Sequence, residues 1–351
     1  MHTSLAHTRV PSLAQDDRRK PSRSGMNRGR TEAQGRCELE ERKARQWECG
    51  KWLSRFSERG GGDEGAKAAT RKECRKEIWE ETRALVRSGS YLGAGKSMRS
   101  FRVSSLRKRQ CPWSAKEQEA CRKVHVIDDD ILSCAARLCE MGQEVAVLNM
   151  ACGSCPGGGV RSGAGAQEEN LYRRTDMCSQ MDDLHQRYYP LKDAALVTRE
   201  VTILRGKEED GYPYLRTGKH VTVISCAALN KPPLTETGEG YRYAEAEQRM
   251  RRRVRNVLVA AVHARCEVVL LSAFGCGAYR NPPHVVARLF SQELRSSKLE
   301  RVIFCIKEDA NSGLVWNPIG NCEPFRRWFP ERCCQDDWHG WQCQTCGRQV
   351  P

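Results

Sequence analysis

Short apolar runs alternate with amphipathic segments from about residue 70 onward. Six runs rich in β-branched residues predict strands. Several of these runs are apolar at both odd and even positions, as expected for a sheet that is covered on both faces. Four segments with apolar residues at helical spacing predict helices, of which the first, at 71–89, stops at a glycine cap, Gly89. The predicted strands are 123–127, 144–151, 195–204, 220–228, 267–275 and 300–306, and the other predicted helices are 128–142, 241–265 and 283–297.

Strands that alternate with helices predict an α/β domain built as α/β/α layers. A chain of 351 residues favours one large domain with appendages. Residues 1–67 are polar and rich in Arg, Ser, Glu and Gly, so we expect a basic region that is disordered or loosely helical, with no fold of its own. The predicted organisation is this N-terminal region, a domain at 68–330 and a Cys-rich tail at 331–351.

Charge and composition narrow the class of protein. With 59 basic and 44 acidic residues the formal net charge is +15, which favours a polyanionic partner, although solvated helix faces and polar tails also account for it. No apolar run approaches the roughly 20 residues that span a bilayer. The N-terminus lacks the apolar core of a secretion signal, so we expect an intracellular protein with reduced thiols among its 19 cysteines. An Arg- and Ser-rich transit peptide stays open, although Asp16 and Asp17 interrupt it.

Two glycine-rich segments follow predicted strands. "CGSCPGGGVRSGAG" comes after the strand that ends near Ala151, and "FGCGAYRNPP" comes after the strand that ends near Ala273. Ligands of such sheets gather at the carboxyl ends of the strands, where bare backbone amides can bind phosphate. Neither segment has the spacing of a Walker loop or of a dinucleotide fingerprint. One interpretation is that the two segments bind a diphosphate from opposite sides, and the alternative is that they are ordinary flexible loops.

Adjacent glutamates follow the first glycine-rich segment. On a helix the side chains of Glu168 and Glu169 diverge by about 100°, so they cannot face each other across a bond as a glycosidase pair does. One could hold substrate hydroxyls while the other transfers a proton. The alternative is a pair of first-turn glutamates that the helix dipole favours.

A family resemblance decides between these alternatives. "VLNMACGSCPGGGVRSGAGAQEENLYRR" resembles the signature of the microbial-type poly(ADP-ribose) glycohydrolases, a branch of the macrodomain superfamily, in which GGG is followed after six to eight residues by QEE. Here seven residues separate the two motifs. "RALVRSGSY", "VTVISCAALN" and "LLSAFGCGAYRNPPHVVARLF" resemble flanking parts of the family in the same order, so the resemblance covers about residues 70 to 330.

The resemblance implies a three-layer α/β/α macrodomain with a mixed central sheet and an N-terminal helical extension. It implies hydrolysis of ribose–ribose O-glycosidic bonds in poly(ADP-ribose), without a cofactor. Glu169 matches the catalytic acid and base, and Glu168 matches the residue that orients the ribose hydroxyls beside the scissile bond. The implied substrate-binding residues are Asn149, Gly157, Gly158, Gly159, Gln167, Gly275, Cys276, Gly277 and Tyr279.

The sequence departs from the family pattern in two places. Cys155 stands where the family more often has a polar side chain, and Leu229 replaces an expected proline. The acidic residue that contacts adenine stays open among residues 128–130, all aspartates, for which helix N-capping is the alternative.

The tail holds enough ligands for a zinc site, but free thiols are the alternative because the tail lacks a clean second C-x-x-C. The expected partners are poly(ADP-ribose) or ADP-ribosylated proteins, with nucleic acid involved only indirectly and no membrane. We expect a monomer in the cytoplasm or nucleus. Three other functions stay open: a macrodomain that only binds ADP-ribose, a mono-ADP-ribosyl-protein hydrolase, and a basic nucleic-acid-binding protein. The tail's candidate zinc ligands are Cys333, Cys334, His339, Cys343 and Cys346.

Overall fold

A computed structural model of the chain describes residues 47–57, 64–95, 97–105, 123–308 and 312–330. Seven strands form one mixed sheet in the order β1-β4-β5-β3-β6-β7-β2. The five strands from β5 to β2 run parallel, whereas β4 lies antiparallel to both β5 and β1. The strands are β1 (Arg99–Val103), β2 (Lys123–Ile127), β3 (Val145–Met150), β4 (Ala195–Arg205), β5 (Tyr214–Cys226), β6 (Val268–Leu271) and β7 (Arg301–Cys305).

Helices cover both faces of the sheet, which confirms the predicted α/β/α layers. One face packs against α6, α7 and α8, and the other against α2, α3, α4 and α5. In the described part of the chain, no helix is long and apolar enough to cross a membrane. The helices are α1 (Cys49–Ser57), α2 (Glu64–Ser88), α3 (Ile131–Glu140), α4 (Gln167–Arg174), α5 (Met181–Tyr188), α6 (Ala244–Ala264), α7 (Pro283–Leu294) and α8 (Cys322–Trp328).

The central strand β3 shows how the sequence divides the core into two layers. Alternate side chains of a strand point to opposite faces. Val145 and Val147 therefore pack on the α4 side, while Ala146 and Leu148 pack on the α6 side. The same alternation places the next residue, Asn149, on the α4 side at the carboxyl end of the strand.

The N-terminal region differs from the prediction where the structure describes it. Residues 49–57 form α1, and α2 begins at Glu64 instead of near residue 70. The reason is long-range packing, because Trp52 is buried against Tyr212 with ring centroids 5.3 Å apart. A sequence that is polar on average thus folds around a few aromatic anchors. Residues 1–46 of the predicted disordered region, and the Cys-rich tail at 331–351, lie outside the described residues.

Candidate active site

A cleft of about 530 Å³ opens at the carboxyl edge of the parallel strands. Loops that follow β2, β3, β5, β6 and β7 all contribute to its walls, as expected where parallel strands end together. Asn149, Gly157 and Cys276 lie behind this surface and are buried or nearly so. The predicted site residues that line the cleft are Gly158, Gly159, Gln167, Glu168, Glu169, Gly275, Gly277 and Tyr279.

Glu168 is the most firmly held side chain of the site. Only 3% of the residue is exposed, and its carboxylate accepts hydrogen bonds from the Cys152 amide at 2.6 Å and the Gly157 amide at 3.1 Å. Asn149 Nδ2 donates to the same carboxylate at 3.4 Å. Burial, together with the charge of the adjacent Glu169, raises the pKa of Glu168 to about 8, even though the amide donors act in the opposite direction. This carboxyl therefore holds a proton near neutral pH.

Glu169 is the next residue of the first turn of α4, and it is held differently. Its Oε1 accepts a hydrogen bond from the Gly159 amide at 2.8 Å. Its Oε2 is buried and has no hydrogen-bond partner among the described residues. A buried carboxyl oxygen without a partner is costly unless another molecule supplies one. Glu169 is thus the glutamate with an oxygen left for a ligand.

The glycine triplet serves the two glutamates directly. The amides of Gly157 and Gly159 donate to Glu168 and Glu169, whereas the sequence had suggested that they bind phosphate. Gly158 has φ +47°, and a Cβ at this position would lie 2.6 Å from Glu169 Oε1 and 3.0 Å from Glu168 Oε2. Both carboxyl groups therefore approach the same point of bare backbone. Only glycine fits there without displacing them.

Gln167 and Asn149 fasten the site to the central strand. The amide group of Gln167 donates to the Leu148 carbonyl at 2.8 Å and accepts from the Met150 amide at 2.9 Å. Asn149 Nδ2 also donates to Ser225 Oγ on β5 at 3.1 Å. These side chains connect the start of α4 to the end of β3 and so fix where the two glutamates stand.

The second glycine-rich loop is locked by a residue that the sequence did not single out. Asn281 is fully buried, and its Nδ2 donates to the carbonyls of Leu229 at 2.8 Å and Gly275 at 3.0 Å. The Tyr241 hydroxyl donates to Asn281 Oδ1 at 2.9 Å. Gly275 has φ +75° and lies so close to Ala228 that a Cβ would come within 2.3 Å of it. Cys276 is buried in the core, so only its backbone could touch a ligand.

Tyr279 connects the two loops across the cleft. It is half-buried, and its hydroxyl lies near the thiol of Cys152. Burial, reinforced by the negative charge of Cys152, raises the pKa of Tyr279, so the phenol stays protonated and can donate. Cys152 is a second residue of the site that the sequence did not indicate. Only its position shortly before the glycine triplet could have pointed to it.

Two buried arginines at the carboxyl end of α4 hold the helix against its surroundings. Arg174 donates to Asp130 at 2.8 Å, and Arg173 donates to the Tyr212 hydroxyl at 3.0 Å and the Ala164 carbonyl at 2.7 Å. Burial raises the pKa of Asp130, but the charge and hydrogen bonds of Arg174 outweigh it and bring the pKa to about 2. The helix that carries the glutamates is thereby anchored at its carboxyl end.

The three aspartates considered for adenine have distinct surroundings. Asp130 is the N-cap of α3 and accepts from the Ser133 amide, as the capping alternative predicts. Asp129 is paired with Arg137 and lines the cleft beside Asp130, whereas Asp128 is exposed. Among the residues that the structure describes, no group of three or more His, Cys, Asp or Glu side chains could hold a metal ion. The candidate zinc ligands of the tail lie outside the described ranges.

Comparison with known proteins agrees with this geometry. Residues 79–202 match the family model described as "Microbial-type PARG, catalytic domain", which spans the glycine triplet and both glutamates. No curated protein matches the chain.

Solved structures extend the likeness to the whole α/β domain. A poly(ADP-ribose) glycohydrolase from Thermomonospora curvata is 24% identical with a TM-score of 0.58, over 73% of this chain and 100% of that one. The same enzyme bound to the inhibitor ADP-HPD is 22% identical with a TM-score of 0.56, over 73% and 99%. The Deinococcus radiodurans enzyme in complex with ADP-ribose is 24% identical with a TM-score of 0.52, over 70% and 96%. The α/β domain thus has the fold of these bacterial enzymes, and its residues 79–202 match the catalytic-domain model of the microbial-type poly(ADP-ribose) glycohydrolases.

Proposed function

We propose that this protein is a poly(ADP-ribose) glycohydrolase, which hydrolyses ribose–ribose O-glycosidic bonds and releases ADP-ribose. The observation that carries the proposal is the pair of glutamates at the start of α4. Backbone amides of the glycine-rich loop hold both carboxyl groups in the cleft, and one oxygen of Glu169 has no partner among the described residues. A protein that only binds ADP-ribose has no need of such a buried acid pair.

The proton needed for the reaction belongs to this pair. Ionising both carboxyl groups would place two negative charges side by side in a buried site, and this is part of the reason why the pKa of Glu168 rises to about 8. Glu168 accepts from three N–H donors, so its place in the protein is fixed. Glu168 orients the ribose hydroxyls next to the scissile bond, and Glu169 offers its remaining oxygen to the departing ribose oxygen.

In the proposed reaction the proton of the pair passes from Glu168 to Glu169 when substrate binds, and Glu169 donates it to that departing oxygen as the glycosidic bond breaks. Positive charge develops at the anomeric carbon, and the negative diphosphate of the substrate stabilises it. Glu169, now a carboxylate, removes a proton from the attacking water and returns to its starting form. One carboxyl group serves twice, in contrast to glycosidases that use two carboxylates on either side of the bond.

The second glycine-rich loop suits the diphosphate of an ADP-ribose unit. Gly275 and Gly277 line the cleft with backbone that carries no side chain, and Asn281 holds this loop in place. Tyr279 presents a protonated hydroxyl and the face of its ring to a ribose. Cys276 contributes its backbone only. The reaction as proposed uses no metal or organic cofactor.

The test is release of ADP-ribose from poly(ADP-ribose) by the purified chain, measured by chromatography. Wild type should release ADP-ribose, and Glu169→Gln should not. Glu140→Gln is the matched control, because Glu140 is exposed at the end of α3 and lies outside the cleft. It should behave as wild type. ADP-ribose that binds without any release from the polymer would make the protein a reader, and release confined to mono-ADP-ribosylated proteins would change the substrate.

A further inference from the structure

The loop between β3 and the glycine triplet contains two cysteines in a C-x-x-C arrangement. Cys152 and Cys155 stand three residues apart, and their Sγ atoms are 3.9 Å from each other. Both thiols are partly exposed. Cys152 lines the cleft and its amide holds Glu168, whereas Cys155 lies just outside the lining. Neither thiol takes part in the proposed hydrolysis.

The surroundings of the two sulfurs give them different chemistry. Burial raises the pKa of the Cys152 thiol, but hydrogen bonds from the Ser154 side chain and amide, the Cys155 amide and the Tyr279 hydroxyl outweigh it and lower the pKa below the ordinary thiol value. Burial, together with the charge of Cys152, raises the pKa of Cys155. A thiol with a lowered pKa beside one with a raised pKa is the arrangement in which the first cysteine attacks an oxidant and the second resolves the product.

We propose that Cys152 and Cys155 are a redox site, at which a peroxide closes a reversible disulfide and inactivates the neighbouring cleft. The part of this proposal that concerns hydrolysis rests on the proposed function, but the formation of the disulfide does not.

The chemistry balances with hydrogen peroxide as the two-electron oxidant. The Cys152 thiolate attacks one peroxide oxygen, the O–O bond breaks, and Cys152 becomes a sulfenic acid while hydroxide leaves. The Cys155 sulfur then attacks the Cys152 sulfur, the S–O bond breaks, and the Cys155 proton leaves with the hydroxyl as water. The hydroxide from the first step takes a proton from solvent. Two thiols lose two electrons in total, and the peroxide is reduced to two waters.

Closing the disulfide disturbs both groups that Cys152 holds. The sulfurs must come from 3.9 Å to a bond of about 2.05 Å, so at least one of the two side chains must rotate and the surroundings of the Cys152 sulfur beside Tyr279 change. The Cys152 amide, which donates to Glu168 at 2.6 Å, belongs to the same loop, whose backbone must adjust when the sulfurs approach. Loss of one hydrogen bond corresponds to about two- to tenfold in affinity or rate. The oxidised protein should therefore bind and process ADP-ribose-type ligands about two- to tenfold less well.

A second close pair of thiols provides an internal control. Burial, together with the neighbouring Cys134, raises the pKa of Cys305, and both cysteines are buried in the core between α3 and the sheet. They are 0% and 2% exposed, so an oxidant in solution reaches them far less readily than the partly exposed Cys152. They should stay reduced under conditions that oxidise Cys152.

The experiment treats the full chain with hydrogen peroxide, blocks the remaining thiols with N-ethylmaleimide and maps labels by mass spectrometry after trypsin. Cleavage after Arg137 and Arg161 yields a peptide with three cysteines, namely Cys139, Cys152 and Cys155. This peptide should lose two labels and keep the one on Cys139, and a dithiol reductant should restore both labels. The Cys155→Ser variant cannot close the bond, so a 1,3-dicarbonyl reagent should trap the sulfenic acid on Cys152.

Binding of ADP-ribose by calorimetry and release of ADP-ribose from the polymer are then compared before oxidation, after it, and after reduction. In wild type, peroxide should weaken binding and release of ADP-ribose, and reduction should restore both. In Cys155→Ser, peroxide should form no disulfide. Three labels retained on the peptide would overturn the redox site. A disulfide that leaves ADP-ribose binding unchanged would overturn its effect on the cleft. Failure of the proposed hydrolysis alone would leave the label and binding results intact, so the two proposals fail separately.

Discussion

Replacement of Gly158 by alanine isolates the geometry on which the proposed mechanism depends. The added methyl would lie 2.6 Å from Glu169 Oε1 and 3.0 Å from Glu168 Oε2, so at least one carboxyl group must move. The backbone at φ +47° adds strain of about 1 kcal/mol for a residue with a Cβ. For a domain of this size that strain lowers the melting temperature by about 2–4 °C. Displacement of a catalytic carboxyl group by about 1 Å lowers the rate of the reaction about a hundredfold.

Gly142→Ala is the matched control for this substitution. Gly142 follows α3 with φ +82°, and a Cβ there would meet nothing within 4 Å. The control therefore acquires backbone strain of the same kind without touching the glutamates. Both variants should show a similar fall in melting temperature by calorimetry, but only Gly158→Ala should lose turnover of poly(ADP-ribose). Wild-type turnover by Gly158→Ala, or an equal loss in Gly142→Ala, would refute the reasoning.

Three further predictions concern pH, the second loop and the N-terminal helix. Because the pKa of Glu168 is about 8 in the folded protein against an ordinary 4.5, its contribution to stability is complete below pH 4.5 and is lost as the pH rises through 8. Urea unfolding should show this decline in wild type and a flatter profile in Glu168→Gln, and equal slopes would contradict the assigned burial. Asn281→Ala should cost about 1–3 kcal/mol and weaken ADP-ribose binding in calorimetry, whereas the exposed neighbour in Asn230→Ala should do neither. Trp52→Ala should cost about 3–5 kcal/mol in urea unfolding, because Trp52 is 3% exposed, and Trp328→Ala, at 39% exposure, should cost far less.

The regular elements of the domain are predictable from sequence because their patterns are local. All six predicted strands and all four predicted helices occur, since β-branched runs and helical spacing report directly on burial within one element. Strand β1 was missed because it lies at the edge of the sheet, where its burial alternates only weakly. Helix α1 was missed because its stability comes from Trp52 packing on Tyr212, which is 160 residues away in sequence.

In the site, too, the sequence predicts what depends on neighbouring residues and misses what depends on contacts between distant segments. The motif placed Glu168 and Glu169 correctly at the start of a helix beside a glycine-rich loop. It did not show that the amides of the triplet hold the glutamates themselves, because that depends on how the loop folds back over α4. Nor could it reveal Asn281, whose partners lie in its own loop and in the connection between β5 and α6. Hydrogen bonds that join distant segments leave no periodic trace in a sequence.

The most direct test of the central claim compares turnover and binding in one preparation of Glu169→Gln. The substitution keeps the size of the side chain and the acceptor for the Gly159 amide, so the fold and the cleft should persist. We expect calorimetry to show that ADP-ribose still binds, while release of ADP-ribose from poly(ADP-ribose) disappears. Release at the wild-type rate by this variant would contradict the assignment of Glu169 as the acid and base.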